Sequence, residues 1–298
     1  MNAIDLSLLP PPEVIETLSF ESLLDDYKAD LVSRHPDIAD TIDLESEPAV
    51  KLMEVSAYRE LLLRARYNDE AKALLLAFSK GDDLDHIGVT YYQEPRLTIT
   101  PADPAAVPPV AAVMESHDDY RYRLSLKPES YSVAGPRDAY QFHALSADGQ
   151  VKNAAPTSPR PGTTEVFILS RTGNGVPDAP LLATVSAALN VETIRPESEE
   201  VIVSPGAVVN YTLEIGLIMF PGAIGEVAKA AAEAELDKFA ADHHRLDADI
   251  VHSAIDKAAH QPGVKEVIIK SPPTKIVCSA GQAPYCIGRT VTIDGVEP

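Results

Sequence analysis

The sequence predicts an α+β protein, with an N-terminal long-helix region followed by two small α/β sandwich-like domains. Three observations carry this reading. Residues from Pro48 to Ser79 hold apolar side chains at helical spacing. Prolines then cluster among small residues at Pro95, Pro101, Pro104, Pro108 and Pro109, as in an extended linker. Beyond them, helical and strand-like patterns fall into two groups, each with two or more helices and two or more strands. The expected divisions are a helical region at 1–92, a Pro-rich linker at 93–113, a middle α+β domain at 114–207 and a C-terminal α+β domain at 208–298.

In chain order, Pro10-Pro11-Pro12 marks the first dozen residues as an extended arm. Phe20, Leu23, Leu24, Tyr27 and Leu31 repeat at helical spacing from about Ser19 to Arg34, and His35-Pro36 interrupts that helix. The long helix has readable ends. Ser46 is the expected N-cap, Pro48 suits the first turn, and Gly81 is the expected stop. About 32 residues at 1.5 Å each give a rod of about 48 Å.

Placed at 100° per residue, the rod has more apolar sides than one stripe. One sector holds Val50, Met53, Ala57, Leu61, Ala71, Leu75 and Phe78. A second holds Val55, Tyr58, Leu62, Ala65, Ala73 and Leu76, and a third holds Leu52, Leu63 and Leu74. Arg59, Arg66 and Glu70 form the main polar strip. A lone amphipathic helix needs one apolar stripe, so this one calls for several neighbours. It is either the central core helix of its own domain or a helix completed by partner chains. The flanking segments offer little cover, which favours partners. The candidate protein-interface residues are therefore Leu52, Val55, Tyr58, Leu62, Leu63, Leu74 and Leu76.

In the middle group, Ser116-His117-Asp118-Asp119 opens a helix that stops at Lys127-Pro128. A second starts at Gly135-Pro136 and buries Tyr140, Phe142 and Leu145. Strands follow near Val151–Ala155 and Glu165–Ser170, then a helix at Leu181–Leu189 and a strand at Val201–Ser204. The last group has a long strand over Val208–Phe220, an Ala-rich helix from Ile224 to Ala241 and a helix capped by Asp249. Strands near Val264–Lys270 and Arg289–Ile293 close it.

Charge bounds the function. With 25 basic against 45 acidic residues the chain carries −20, which repels phosphate backbones and anionic membranes. Neither nucleic acid nor membrane is an expected partner. The start lacks a signal-like apolar core, and no apolar run approaches the roughly 20 residues that cross a bilayer. Cys278 and Cys286 are too few for a disulfide scaffold and are expected as free thiols.

No catalytic set stands out. His243, His244, His252 and His260 fall in one stretch, but His252 and His260 are not spaced as a helical ligand pair, so exposed helix-end histidines are the expectation. Gly173-Asn174-Gly175 starts like a phosphate loop but lacks its continuation, and reads as a wide turn. There is no Gly-x-Ser-x-Gly elbow, no Trp and only 6% aromatics, a poor endowment for a sugar cleft. No catalytic residue, cofactor or metal is expected.

Particular strings then become informative. The long-helix region reads Leu44-Glu45-Ser46-Glu47-Pro48, Ala57-Tyr58-Arg59-Glu60-Leu61 and Gly81-Asp82-Asp83-Leu84-Asp85. Later come Ile99-Thr100-Pro101-Ala102-Asp103-Pro104, Phe142-His143-Ala144-Leu145-Ser146-Ala147-Asp148-Gly149 and Leu169-Ser170-Arg171-Thr172-Gly173-Asn174-Gly175. In this order, over nearly the whole chain, they resemble the baseplate J-like family of contractile-tailed phages, prophages and phage-tail-like particles. Ser130, the turn at Arg245–Asp249 and Pro284 depart locally from the family pattern.

The resemblance implies a structural wedge subunit of the baseplate. Two copies would join one tail protein I-like partner through an N-terminal helical bundle. C-terminal domains would close a six-fold ring, and a W-like wedge protein would link the ring to the sheath. The helix Pro48–Ser79 would be the bundle element, and residues from Val208 onward would lie in the ring contact. Such a protein would be assembled in the host bacterial cytoplasm and reside in the virion tail baseplate. The competing reading is a tail-associated cell-wall hydrolase, which would need titratable groups converging in a cleft.

Overall fold

The computed structural model describes residues 10, 12–44, 46–132, 134–222 and 224–297. The chain divides into two compact units, residues 1–96 with 117–124, and residues 97–116 with 125–298. Most of the expected N-terminal arm lies outside the described residues.

In the first unit, α1 (Phe20–Arg34) begins where the Ser19 hydroxyl accepts the Ser22 N–H, 3.3 Å. It ends at His35, and a 3-10 turn covers Pro36–Ile38. Then α2 (Pro48–Ala73) packs against α1 around Leu23, Leu24, Ile42, Val50, Met53 and Ala57. Glu47 is its N-cap and makes no side-chain capping bond, so Ser46 does not act as expected; Pro48 is at the helix start as expected.

The long helix is also shorter than its pattern suggests. It has 26 residues, about 39 Å, and residues 74–78 form turns. No helix breaker stands there. Tertiary contacts take the chain instead: the Arg121 guanidinium donates to the carbonyls of Leu76 (2.8 Å) and Ser79 (2.9 Å), and Leu76 packs on Leu84, Tyr120 and Leu124. A long-range partner for the carbonyls outweighs local helix propensity. Gly81, with φ +54°, does not end α2 but opens α3 (Gly81–Ile87).

A π-turn at Gly88–Tyr92 continues α3. Gly88 has no substitute there, because a Cβ would stand 1.8 Å from the Tyr120 hydroxyl. That hydroxyl donates to the Glu94 carbonyl. The Tyr120 ring lies near two guanidiniums, Arg96 at 4.8 Å and Arg123 at 5.2 Å. Arg123 is 1% exposed; it pairs with Glu94 (3.2 Å) and donates to the Pro95 carbonyl (2.7 Å). Both residues lie within α4 (His117–Leu126). Asn68 of α2 accepts the Glu16 N–H and donates to the Glu16 carbonyl, pinning one residue of the chain before α1.

In the second unit, the Pro-rich stretch carries a two-stranded antiparallel ribbon of β1 (Thr98–Thr100) and β2 (Val113–Met114). Gly149 lets the Thr98 carbonyl approach closely, and Gln150 donates to the Ile99 carbonyl. A three-stranded sheet follows in the order β3 (Val151–Arg160), β4 (Thr163–Ser170), β5 (Glu200–Pro205). β3 and β4 are antiparallel; β4 and β5 are parallel, joined through α6 (Ala179–Leu189). Pro156 and Pro159 are tolerated in β3 because it is an edge strand. α5 (Arg137–Ala147) buries Ala139, Tyr140, Phe142, Ala144 and Leu145, which includes the three residues expected to face inward.

Only Gly206 separates β5 from β6 (Ala207–Met219). β6 is the centre of the second sheet, antiparallel to β7 (Val264–Ser271) and parallel to β8 (Gln282–Val296). Its alternate residues Tyr211, Leu213, Ile215, Leu217 and Met219 meet Ala232 and Leu236 of α7 (Gly225–His243) and Ile255 of α8 (His252–Ala259) in one core. α8 starts later than expected. Ile250 bridges Ile276, and Asp249 accepts the Cys278 N–H (3.0 Å), so Asp249 holds a loop and does not cap the helix. β8 is longer than its pattern at Arg289–Ile293, because β6 offers it a parallel edge 13 residues long.

Candidate assembly surface

Leucine, valine and tyrosine on α2 do not all find cover within the described residues. Val50, Met53 and Ala57 face α1. Val55, Tyr58 and Leu62, spaced three and four apart, form a separate stripe whose side chains are exposed, Leu62 by 52%. Leu52 and Leu63 lie exposed on a third side, and Leu74, just past the helix, is 79% exposed. Leu76, the seventh residue of the expected interface, is partly buried on Leu84, Tyr120 and Leu124.

The stripe is a shaped surface. Phe20 at the start of α1 joins Glu54, Val55, Tyr58, Arg59 and Leu62 around a groove of about 430 Å³. Phe20 reads in the sequence only as a core residue of α1; its second role depends on how the two helices pack. Large apolar surface in an open groove, rimmed by one acidic and one basic side chain, is the anatomy of a docking site for another polypeptide.

Beside the groove, the helix pair is locked by polar contacts. The Tyr27 hydroxyl donates to the Glu60 carboxylate. That bond holds the Tyr27 phenol above its ordinary pKa, and with the Arg64 contact (2.6 Å) it holds Glu60 below the usual carboxylate range. Arg64 also reaches Glu16, 3.0 Å. The Tyr27–Glu60 bond ties α1 to α2, and the Arg64–Glu16 pair ties the chain before α1 to the same helix.

The histidines are not the exposed helix-end residues expected; among the four, only His260 is exposed. His243 is within 2.9 Å of the Phe239 carbonyl and His252 within 2.9 Å of the Pro272 carbonyl. His244 is 8% exposed, its ring edge-on to Tyr285 with centroids 5.1 Å apart. Burial, with the Lys152 charge adding to it, pushes its pKa down to about 4. Cys278 and Cys286 are free thiols, and burial pushes the Cys278 thiol up. Among the described residues no group of three or more His, Cys, Asp or Glu could hold a metal ion. No helix among them is long and apolar enough to cross a membrane.

Comparison with known proteins decides the family. Residues 45–103 match the baseplate J-like N-terminal domain, and residues 132–205 match the baseplate J-like central domain. The chain is 45% identical over 302 residues to baseplate protein J of Escherichia phage P2, covering 100% of both chains. The chain belongs to the baseplate J-like family. That makes it a structural subunit of a phage-tail baseplate.

Proposed function

We propose that this baseplate subunit builds a wedge of a contractile tail, or of a tail-like particle such as a pyocin-type bacteriocin. Two copies associate with one tail protein I-like partner. In this reading the helical region, residues 1–92, enters the bundle through Leu52, Val55, Tyr58, Leu62, Leu63 and Leu74, while Leu76 packs inside its own unit. The segment 93–113 lets the two identical chains place their remaining domains differently. The C-terminal domain, 208–298, meets neighbouring wedges in a six-fold ring. A W-like protein joins the ring to the sheath, and assembly takes place in the host bacterial cytoplasm.

The observation that supports this most is the exposed Val55–Tyr58–Leu62 stripe with its groove, on a helix whose opposite side is already buried. Membership of a family of baseplate proteins supplies the kind of partner.

The test is co-expression with the neighbouring tail proteins of the I and W types, followed by native mass measurement. The expected species contains two copies of this chain and one I-like partner, and Leu62→Glu abolishes it. A soluble monomer that ignores both partners would sink the proposal.

A further inference from the structure

The Pro-rich segment does more than connect. Its two ends are fastened together: the Glu115 N–H donates to the Leu97 carbonyl (2.8 Å), and the buried Glu115 carboxylate accepts the Leu97 N–H (3.3 Å). Beyond the β1–β2 ribbon, Asp103 and Val110 exchange both backbone hydrogen bonds, at 2.9 and 3.0 Å. The Asp103 carboxylate also accepts the N–H groups of Ala105 (3.0 Å) and Ala106 (3.2 Å). The result is a closed hairpin finger, tied at its base by the bond from Gln150 to the Ile99 carbonyl. A two-stranded ribbon is marginal on its own in water, so these ties hold its shape.

The finger is apolar on the outside. Eleven consecutive residues, 104–114, carry no polar side chain. Every residue from 101 to 114 except Ala106 is exposed, Val107 by 98%. In a chain with 23% charged residues, such a run is a surface awaiting cover. Its proline, alanine and valine side chains lose little freedom on burial, and its closed tip is already shaped for binding. The α2 groove has the matching chemistry. Phe20 and Tyr58 bring two aromatic rings to it beside Val55 and Leu62, and proline-rich segments dock in aromatic-lined grooves. Charge favours the same pairing. Two copies of a chain carrying −20 repel each other over most of their surface. The finger has no charge beyond Asp103, and the groove rim sets Arg59 beside a Glu54 that already pairs with Lys51 (3.0 Å). Neither side of this contact brings a net negative charge.

We propose that the finger of one copy docks, tip first, in the α2 groove of a second copy of this chain. The proposal rests on the reading of that groove as an assembly surface and names what fills it.

The experiment mixes two forms of the full chain at high concentration. One is isotopically heavy and carries a photoreactive phenylalanine analogue in place of Ala111; the other is light and carries no probe. Irradiation is expected to join the heavy finger to the light copy at Phe20 or between Val55 and Leu62. Leu62→Glu in the light copy lowers the yield at least about tenfold, and so does Val107→Asp in the heavy one, as for loss of a central apolar contact. Val107 is too exposed for that change to disturb folding. Leu52→Glu, on another side of α2, leaves the yield unchanged. Cross-links confined to the heavy copy, cross-links elsewhere on the light copy, an absence of cross-links, or a yield indifferent to Leu62→Glu and Val107→Asp would each overturn the docking. The wedge reading is judged separately, by native mass with the I-like partner. A 2:1 complex without finger cross-links sinks the docking and spares the wedge, and cross-links without a 2:1 complex do the reverse.

Discussion

The helix α2 and the strand β6 both carry long apolar patterning, and they end up in opposite situations. β6 has a hydrogen-bonded neighbour on each side, and its alternate side chains are buried under α7 and α8. α2 has one side against α1 and leaves Val55, Tyr58 and Leu62 in the open. An element that its own chain completes contributes to stability. One that it does not complete keeps the free energy of covering its surface in reserve, to be released only if a partner covers it.

Substitutions can break or sharpen this contrast. Leu213→Ala, at a fully buried position of β6, should cost on the order of 2–5 kcal/mol of unfolding free energy, measured by denaturant titration. A cost below about 1 kcal/mol would mean that the core around β6 is not the second unit's main support. Arg123→Ala should cost on the order of 3 kcal/mol in the first unit, because it removes a buried guanidinium that pairs with Glu94 and donates to the Pro95 carbonyl. Unfolding followed by a probe in the first unit would show it, with the second unit unaffected.

The pH dependence of the second unit comes next. His244 is held neutral in the folded chain, with its pKa at about 4 against an ordinary 6.5. Folding therefore excludes a proton that the unfolded chain accepts. The contribution is complete above pH 6.5 and is lost as pH falls from 6.5 toward 4, to a total on the order of 2–3 kcal/mol. Unfolding free energies from denaturant titration at pH 7 and pH 4.5 should differ by most of that amount, and His244→Phe should flatten the difference. An unchanged slope in that variant would place the titration elsewhere.

The smallest effect on stability belongs to the groove. Leu62→Glu should change the unfolding free energy of the isolated chain by no more than about 0.5 kcal/mol, as at other exposed positions. Its whole effect should fall on assembly. A large loss of stability in the isolated chain would move Leu62 into the same class as Leu213 and erase the contrast.

Much of this was legible before any coordinates. Alternation of apolar and polar residues marks β6, and three-four spacing marks α1, α2 and α5, because each pattern is the local imprint of one buried side. The parts that sequence missed are set by distant residues. Nothing between Lys72 and Ser79 announces that α2 stops at Ala73; the guanidinium that takes those carbonyls is Arg121, in another helix. The burial of His244 depends on β4 and β8, far away in the chain. Arg123 looks like an ordinary surface residue of an amphipathic helix until Glu94 and Tyr120 enclose it. At the surface of α2, the sequence gives the excess of apolar sides, and packing then decides which of them are spent: Leu76 turns inward while Leu74 stays out.

The single-residue joint at Gly206 has a mechanical consequence. β5 and β6 follow one another from Glu200 to Met219 with one residue between them, and the Gly206 N–H is itself tied to the Ile168 carbonyl of β4 (2.8 Å). With one residue between them, the two strands leave almost no slack in the chain, so a displacement of one sheet along that path has no loop to absorb it.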